Sequence, residues 1–228
     1  VKTRQGWRKI RRTIRTPTEL AEAAQSLGAT DLYYSVSWWA DPVRVSDRLH
    51  AHRLLGSDLA FDLDAPPPLG ETTWNWARRA MRWLLAAMED EPGYAIQDDY
   101  PAWTGHKGYR LVYDDVGLVL PPDPTQRLAV LEARRAALVT RLLGRAQSTL
   151  RPREAALLRR CWDRRVTLNP FTVIRVLGTT HSATGRPSIP LARPAWRTKA
   201  WHSASLWASP NPSLGVMTRP ESWSVMAP

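Results

Sequence analysis

The residues with the clearest chemical potential are two aspartates at the end of an apolar run. The run is Leu59-Ala60-Phe61-Asp62-Leu63-Asp64. If it forms a strand, successive side chains alternate between faces, so both carboxylates project from the same face. Two such carboxylates repel each other unless a cation lies between them, and Mg²⁺ is usually held by one or two carboxylates plus phosphate oxygens. The pattern therefore predicts either a divalent-metal site or an ordinary solvated strand terminus.

A glycine-containing turn further along the chain carries several candidate donors. Its members are Thr104, Gly105, His106, Lys107, Gly108, Tyr109 and Arg110. The two glycines would let backbone N–H groups approach an anion closely. The hydroxyl, imidazole, ammonium and guanidinium groups add further donors. The turn therefore predicts a phosphate-binding site, and the alternative is a glycine hairpin with basic side chains on its surface.

Two other positions are weak signals when each is taken alone. Asp163 precedes Val166-Thr167, and by itself it is typical of a surface carboxylate at a helix end. Arg175 and His181 precede a glycine turn at Gly185. A single histidine in such a place is most often structural.

In order and spacing, these elements resemble the small catalytic subunit of archaeo-eukaryotic primases. That family carries an Asp-x-Asp strand, a Ser-Gly-x-x-Gly-x-His turn, a third metal aspartate before a Val-Thr segment, and a Pro-x-Ser-x-His-x-x-Thr-Gly stretch. The last two elements are matched here by Asp163 with Val166-Thr167 and by Gly178–Gly185. Leu32–Ser35 also looks like a strand of the family. The resemblance runs from about Asp31 to Leu191.

The resemblance implies a template-dependent nucleotidyltransferase. Such a DNA primase or polymerase would make or extend primers on single-stranded DNA from NTPs or dNTPs. It implies that Asp62, Asp64 and Asp163 are the catalytic residues and hold two Mg²⁺ or Mn²⁺ ions. The implied nucleotide-binding residues are Thr104, Gly105, His106, Lys107, Gly108, Arg110, Arg175 and His181. A repair polymerase for broken ends and a catalytically inactive primase-like DNA-binding protein are the alternatives.

The chain departs from the family pattern at three points. Thr104 stands where the family usually has serine, which keeps the hydroxyl. Arg110 stands where the family usually has histidine, and although arginine binds phosphate strongly, this change leaves nucleotide positioning open. The zinc knuckle of the family is missing. No zinc is expected, because the chain has a single cysteine, Cys161.

Composition favours a polyanionic partner. The chain has 228 residues, a hydrophobic content of 43% and a net charge of +11, a balance that points first to nucleic acid. Arginine-rich codon usage is a competing cause of the arginine excess. The single cysteine suits a reducing compartment, and no stretch is apolar enough to span a membrane. We expect an intracellular, nucleoid-associated protein, with a large primase subunit or a helicase as further candidate partners.

The fold class predicted from the pattern is α/β (α+β). The resemblance implies a mixed sheet with an RNA-recognition-like module plus an N-terminal α/β unit. Four helices are predicted. The first begins at Pro17 and ends at Gly28, and the second carries an apolar stripe from Trp74 to Met88. The third covers Pro124 to about Gly144, and the fourth Pro152 to about Trp162. The predicted strands, besides the one ending in the two aspartates, are Asp31–Val36, Tyr94–Ile96 and Tyr109–Tyr113.

The chain divides into two predicted parts. Residues 1–192 would form the catalytic domain, with a helical insertion at about 124–162. Residues 193–228, rich in Trp, Ser and Pro, would form a C-terminal tail. The first fifteen residues carry seven lysines and arginines and predict either a basic arm for phosphate contact or a solvated helix face.

Overall fold

The structure is a computed structural model that describes residues 1–10, 14–41, 52–98 and 100–191. The predicted tail and residues 11–13 of the basic segment lie outside the described residues. Among the helices of the described part, none combines the length and low polarity needed to cross a membrane.

The described residues contain five helices and twelve strands. The helices are α1 (Pro17–Ser26), α2 (Glu71–Glu89), α3 (Pro124–Thr149), α4 (Pro152–Cys161) and α5 (Arg164–Leu168). The strands are β1 (Lys2–Thr3), β2 (Gly6–Trp7), β3 (Ala29–Asp31), β4 (Tyr33–Ser35), β5 (Ser37–Trp39), β6 (Leu54–Ser57), β7 (Leu59–Asp64), β8 (Ala95–Ile96), β9 (Ala102–Trp103), β10 (Gly108–Asp114), β11 (Val173–Arg175) and β12 (Ile189–Pro190).

The predicted combination of helices and sheets is confirmed, but the predicted mixed sheet is not seen. The central sheet has the order β12-β9-β10-β7, with β8 also paired to β10. Every strand pair among the described residues is antiparallel. The short connection from β9 to β10 explains part of this, since a tight turn can join only antiparallel neighbours.

The two faces of the central sheet are covered by different elements. Ala60 of β7 lies opposite Val112 of β10, and both belong to a buried cluster with Val36 and Ile174 from the β4–β11 region. Helix α2 packs on β7 and β10, so it covers the other face, where Phe61 is fully buried. Because faces alternate along a strand, the side chains of Asp62 and Asp64 share the Ala60 face, away from α2.

The N-terminal segment is a β-hairpin. Strands β1 and β2 pair with each other, and β3 pairs with β1 on its other side. The helix-face interpretation is therefore wrong for residues 2–7, where Gly6 adopts a φ of +115° that favours a turn. Helix α1 begins as predicted, because the Thr16 hydroxyl accepts a hydrogen bond from the backbone N–H of Glu19 and Pro17 takes the first helical position.

Two predicted elements differ from the structure in extent. The single strand expected at Asp31–Val36 is divided, because β3 pairs with β1 whereas β4 pairs with β11. The helix that begins at Pro124 continues past Gly144 to Thr149. A helical glycine costs only about 1 kcal/mol relative to alanine, and the buried Leu142 and Ala146 on either side of it offset that cost.

Candidate functional site

The two aspartates of β7 face two cations on neighbouring backbone. In the register of the sheet, Asp62 lies opposite Arg110 and Asp64 lies opposite Gly108. Nη2 of Arg110 is 3.1 Å from Oδ1 of Asp62, and Nζ of Lys107 is 2.8 Å from Oδ2 of Asp64. The predicted strand and glycine turn therefore do meet, and their charges are already paired with each other.

The two ion pairs differ in burial. The side chains of Arg110 and Asp62 are 11% and 18% exposed, whereas those of Lys107 and Asp64 are 41% and 29% exposed. Burial, followed by the nearby Asp62 charge, raises the pKa of Asp64. Burial alone would lower the pKa of Arg110, but the Asp62 carboxylate raises it. Lys107 is thus the more replaceable of the two cations.

Both glycines of the turn allow close packing. A Cβ at Gly108 would lie 2.6 Å from Oδ1 of Asp64, so only glycine lets β10 approach this carboxylate. Gly105 has a φ of +81°, and a Cβ there would lie 2.6 Å from the carbonyl oxygen of Arg186. The Thr104 hydroxyl donates to the Gly108 carbonyl within the turn. In this structure the glycine turn packs against the Asp64 carboxylate and against the backbone at Arg186.

Asp163 lies next to Asp62 in space. Its backbone N–H donates a hydrogen bond of 2.9 Å to the Asp62 carbonyl, and Leu63 forms an antiparallel bridge with Trp162. This register puts Asp163 beside Asp62 on the carboxylate face. Its own carboxylate, however, caps α5 and accepts hydrogen bonds from the N–H and the Nε of Arg165.

His181 lies on a second glycine turn that packs against the first. Its ring centroid is 4.7 Å from that of His106, and the Thr184 hydroxyl donates to the Gly105 carbonyl over 2.7 Å. Burial and the nearby positive charge of Arg175 lower the pKa of His181. The two predicted histidines therefore form one surface, and His181 favours the neutral form.

Arg175 forms a buried ion pair with Asp31. One terminal nitrogen contacts Asp31, and the other donates to the Tyr33 hydroxyl over 2.9 Å. The side chains of Arg175 and Asp31 are 6% and 1% exposed. Hydrogen bonds from Ser182 and Arg175 outweigh the effect of burial and hold the pKa of Asp31 well below its usual range.

Sequence reasoning missed Asp31 and Tyr33 as members of the site. Both lie in a segment that was interpreted only as a strand, and Asp31 is 144 positions from its partner Arg175. An acid close to two aromatic residues is a weak signal, because an ordinary strand can have the same pattern. The Tyr33 hydroxyl lies near two ion pairs, because the charges of both act on it. These pairs are Arg175–Asp31 and Arg110–Asp62.

The chemistry of the donors suits one hard cation at Asp62 and Asp64. Carboxylate oxygens are the ligands that Mg²⁺ and Mn²⁺ prefer. In this structure the Lys107 ammonium neutralises Asp64, as a bound metal ion would. The described part of the chain contains no group of three acidic, histidine or cysteine side chains close enough to bind one metal ion. Asp163 would join such a group only by leaving the cap of α5.

No protein-family model matches the chain, and no curated protein is significantly similar to it.

Proposed function

We propose that this chain is a template-dependent nucleotidyltransferase that makes or extends primers on single-stranded DNA. The observation that carries the proposal is the hydrogen bond from the Asp163 N–H to the Asp62 carbonyl. It brings the third aspartate next to Asp62 from a position far along the chain. The primase-like fold implied by the sequence is part of the same proposal, supported by the carboxylate strand in the central sheet.

Three of the predicted nucleotide-binding residues then have roles that their surroundings support. Lys107 is exposed enough to move from Asp64 to the phosphates of a nucleotide. Neutral His181, beside His106, would donate or accept a hydrogen bond at a phosphate oxygen. Arg175 has both terminal nitrogens engaged, so we assign it the positioning of Tyr33 and of the turn that carries His181.

Mg²⁺ or Mn²⁺ held by Asp62, Asp64 and Asp163 would lower the pKa of the primer 3′-hydroxyl and stabilise the leaving pyrophosphate. The residues of the chain bind and orient the reactants. The net charge of +11 favours binding of the template backbone, an interaction that weakens steeply as salt rises.

The test is primer synthesis and extension on a single-stranded template with Mg²⁺ or Mn²⁺. We expect Asp62→Asn, Asp64→Asn and Asp163→Asn each to lower the rate at least about 100-fold, the scale on which lost charge stabilisation affects catalysis. Asp123→Asn is the matched control, because this exposed aspartate only caps α3. Full activity in the Asp62 and Asp64 variants would overturn the proposal.

A second candidate is a non-catalytic DNA-binding protein. The ion pair between Arg110 and Asp62 favours it, because a nearly buried guanidinium occupies the carboxylate that a metal would need. Within the described residues, Nε of Arg110 is also buried without a hydrogen-bond partner. Separating a nearly buried ion pair leaves an uncompensated charge, so Arg110 is not readily displaced from Asp62.

Mn²⁺ titration in the presence of a nucleotide separates the two candidates. An enzyme should bind Mn²⁺ at a saturable site that Asp64→Asn removes. A DNA-binding protein should bind single-stranded DNA with no such site, and Arg110→His should create one by releasing Asp62.

A further inference from the structure

Trp7 is a large aromatic side chain that the fold leaves exposed beside the candidate site. It is 61% exposed and lies on β2, opposite Lys2 of β1. Its ring packs on Tyr33, with centroids 4.9 Å apart and planes tilted by 59°. A half-supported ring of this kind keeps its other surface open to a planar ligand.

The ring under Trp7 is rigidly held. The Arg175 guanidinium lies 4.9 Å from the centroid of the Tyr33 ring and also donates to its hydroxyl. Arg175 is fixed in turn by its buried contact with Asp31. An aromatic platform that loses little side-chain entropy on binding is well suited to recognition.

The surroundings of Trp7 are positively charged. Lys2, Arg4 and Arg8 are all exposed on the same hairpin and its continuation. Lys2 is close enough to His181 for its charge to act on that imidazole. A flat aromatic surface flanked by cations matches a base with its phosphates, because bases stack on aromatic rings while the backbone follows positive charge.

We propose that Trp7, supported by Tyr33, is a stacking platform for an unpaired base of a single-stranded DNA template. The proposal deepens the proposed function, since it names the template contact of that site. It rests on the contacts of Trp7 with Tyr33 and of Tyr33 with Arg175 and on the cations of the N-terminal hairpin, and it does not depend on catalysis.

The experiment measures binding of a labelled oligothymidine and of an abasic oligonucleotide of the same length, by fluorescence anisotropy at fixed salt. Trp7→Ala should weaken binding of oligothymidine at least about fivefold, the lower end of the effect of losing one base–aromatic stack. Trp7→Phe should keep most of the affinity. Binding of the abasic strand should not change in either variant.

Trp38→Ala is the matched control, because Trp38 is 53% exposed but lies on β5, which among the described strands pairs with β6 alone. Equal loss of affinity in Trp7→Ala and Trp38→Ala would overturn the proposal, as would equal loss on oligothymidine and on the abasic strand. Weaker binding of a free dNTP with unchanged binding of oligothymidine would assign Trp7 to the incoming nucleotide, which also overturns it.

Failure of this proposal is distinguishable from failure of the proposed function. Asp62→Asn should leave oligothymidine binding unchanged while removing primer extension. If Asp62→Asn keeps full extension activity, the enzyme proposal fails and the Trp7 result still stands. If Trp7→Ala binds oligothymidine normally while Asp62→Asn is inactive, only the stacking platform fails.

Discussion

Two charged regions of the molecule differ in the burial of their ion pairs. The carboxylate region consists of Asp62 and Asp64 with Arg110 and Lys107, and the arginine region consists of Arg175, Asp31 and Tyr33. In the carboxylate region the Lys107–Asp64 pair reaches solvent. In the arginine region both ionic side chains are almost fully buried.

The difference indicates which region can exchange partners. A buried ion pair is costly to separate, because removing one partner leaves an uncompensated charge. An exposed pair contributes little and is easily replaced. We therefore infer that the arginine region fixes the geometry of the site. Lys107, in contrast, can leave Asp64 and bind another anion.

The largest expected effect comes from Arg175→Ala, which would leave the buried Asp31 without its cation. The free energy of unfolding should fall by about 3–5 kcal/mol, the usual effect of breaking a buried pair. Chemical denaturation monitored by circular dichroism measures it. Arg79→Ala is the control, since its pair with Glu154 is 64% and 32% exposed. Equal stability of Arg175→Ala and wild type, with lost nucleotide binding, would mean that Arg175 is a ligand-binding residue.

The local patterns in the sequence predicted the strand that ends in Asp62 and Asp64, the helix from Trp74 to Met88, and the cap at Thr16. Each depends on residues close together in the chain, where alternation, helical spacing or a capping hydroxyl determines the element. The proximity of Asp163 to Asp62 came only from the family resemblance. No local pattern encodes a bridge between Leu63 and Trp162.

Two other features could not be predicted from the sequence, for physical reasons. The pairing of Asp31 with Arg175 depends on β4 and β11 meeting across most of the chain, and charge alone does not choose among many arginines. The pairing of Lys107 with Asp64 is likewise absent from the local pattern, which gives no distance between the two residues in the folded sheet. Only the register of β7 against β10 places them together.

The second prediction compares the two acids directly. At neutral pH, Asp31→Asn should destabilise the fold by about 1–3 kcal/mol, because the buried Arg175 guanidinium loses the negative charge of its partner. Asp64→Asn should stabilise it by less than about 1 kcal/mol, because its surroundings raise the pKa of Asp64 and so disfavour the carboxylate.

The pH dependence of the two variants should have opposite signs. The pKa of Asp31 is lower in the folded state, so the advantage of wild type over Asp31→Asn is complete above the ordinary value of 3.8 and is lost as pH falls below it. The pKa of Asp64 is raised, so the advantage of Asp64→Asn is present at neutral pH and is lost as pH falls through the folded pKa toward 3.8. Urea unfolding at several pH values measures both differences. Parallel pH profiles for the two variants would contradict the contrast between the regions.

The third prediction concerns Lys107, whose removal should free Asp64. Lys107→Met should change the free energy of unfolding by less than about 1 kcal/mol and should increase the affinity for Mn²⁺ a few-fold, because a competing cation is gone. Calorimetric titration with Mn²⁺ alone measures the second effect, and Arg79→Met is the control for a lost exposed cation. Weaker Mn²⁺ binding in Lys107→Met would show that Lys107 does not compete at Asp64.

The smallest expected effect is that of His181, at the border between the two regions. Burial and Arg175 lower its pKa in the folded state, so the unfolded chain binds the proton first as pH falls below the ordinary value of 6.5. Stability should therefore decrease as pH falls below 6.5 and through the lowered pKa of the folded state. His181→Gln should flatten that part of the pH profile of the free energy of unfolding. If His181→Gln leaves the slope unchanged, the arginine region does not act on His181, and the neutral imidazole that we assign to nucleotide binding loses its physical basis.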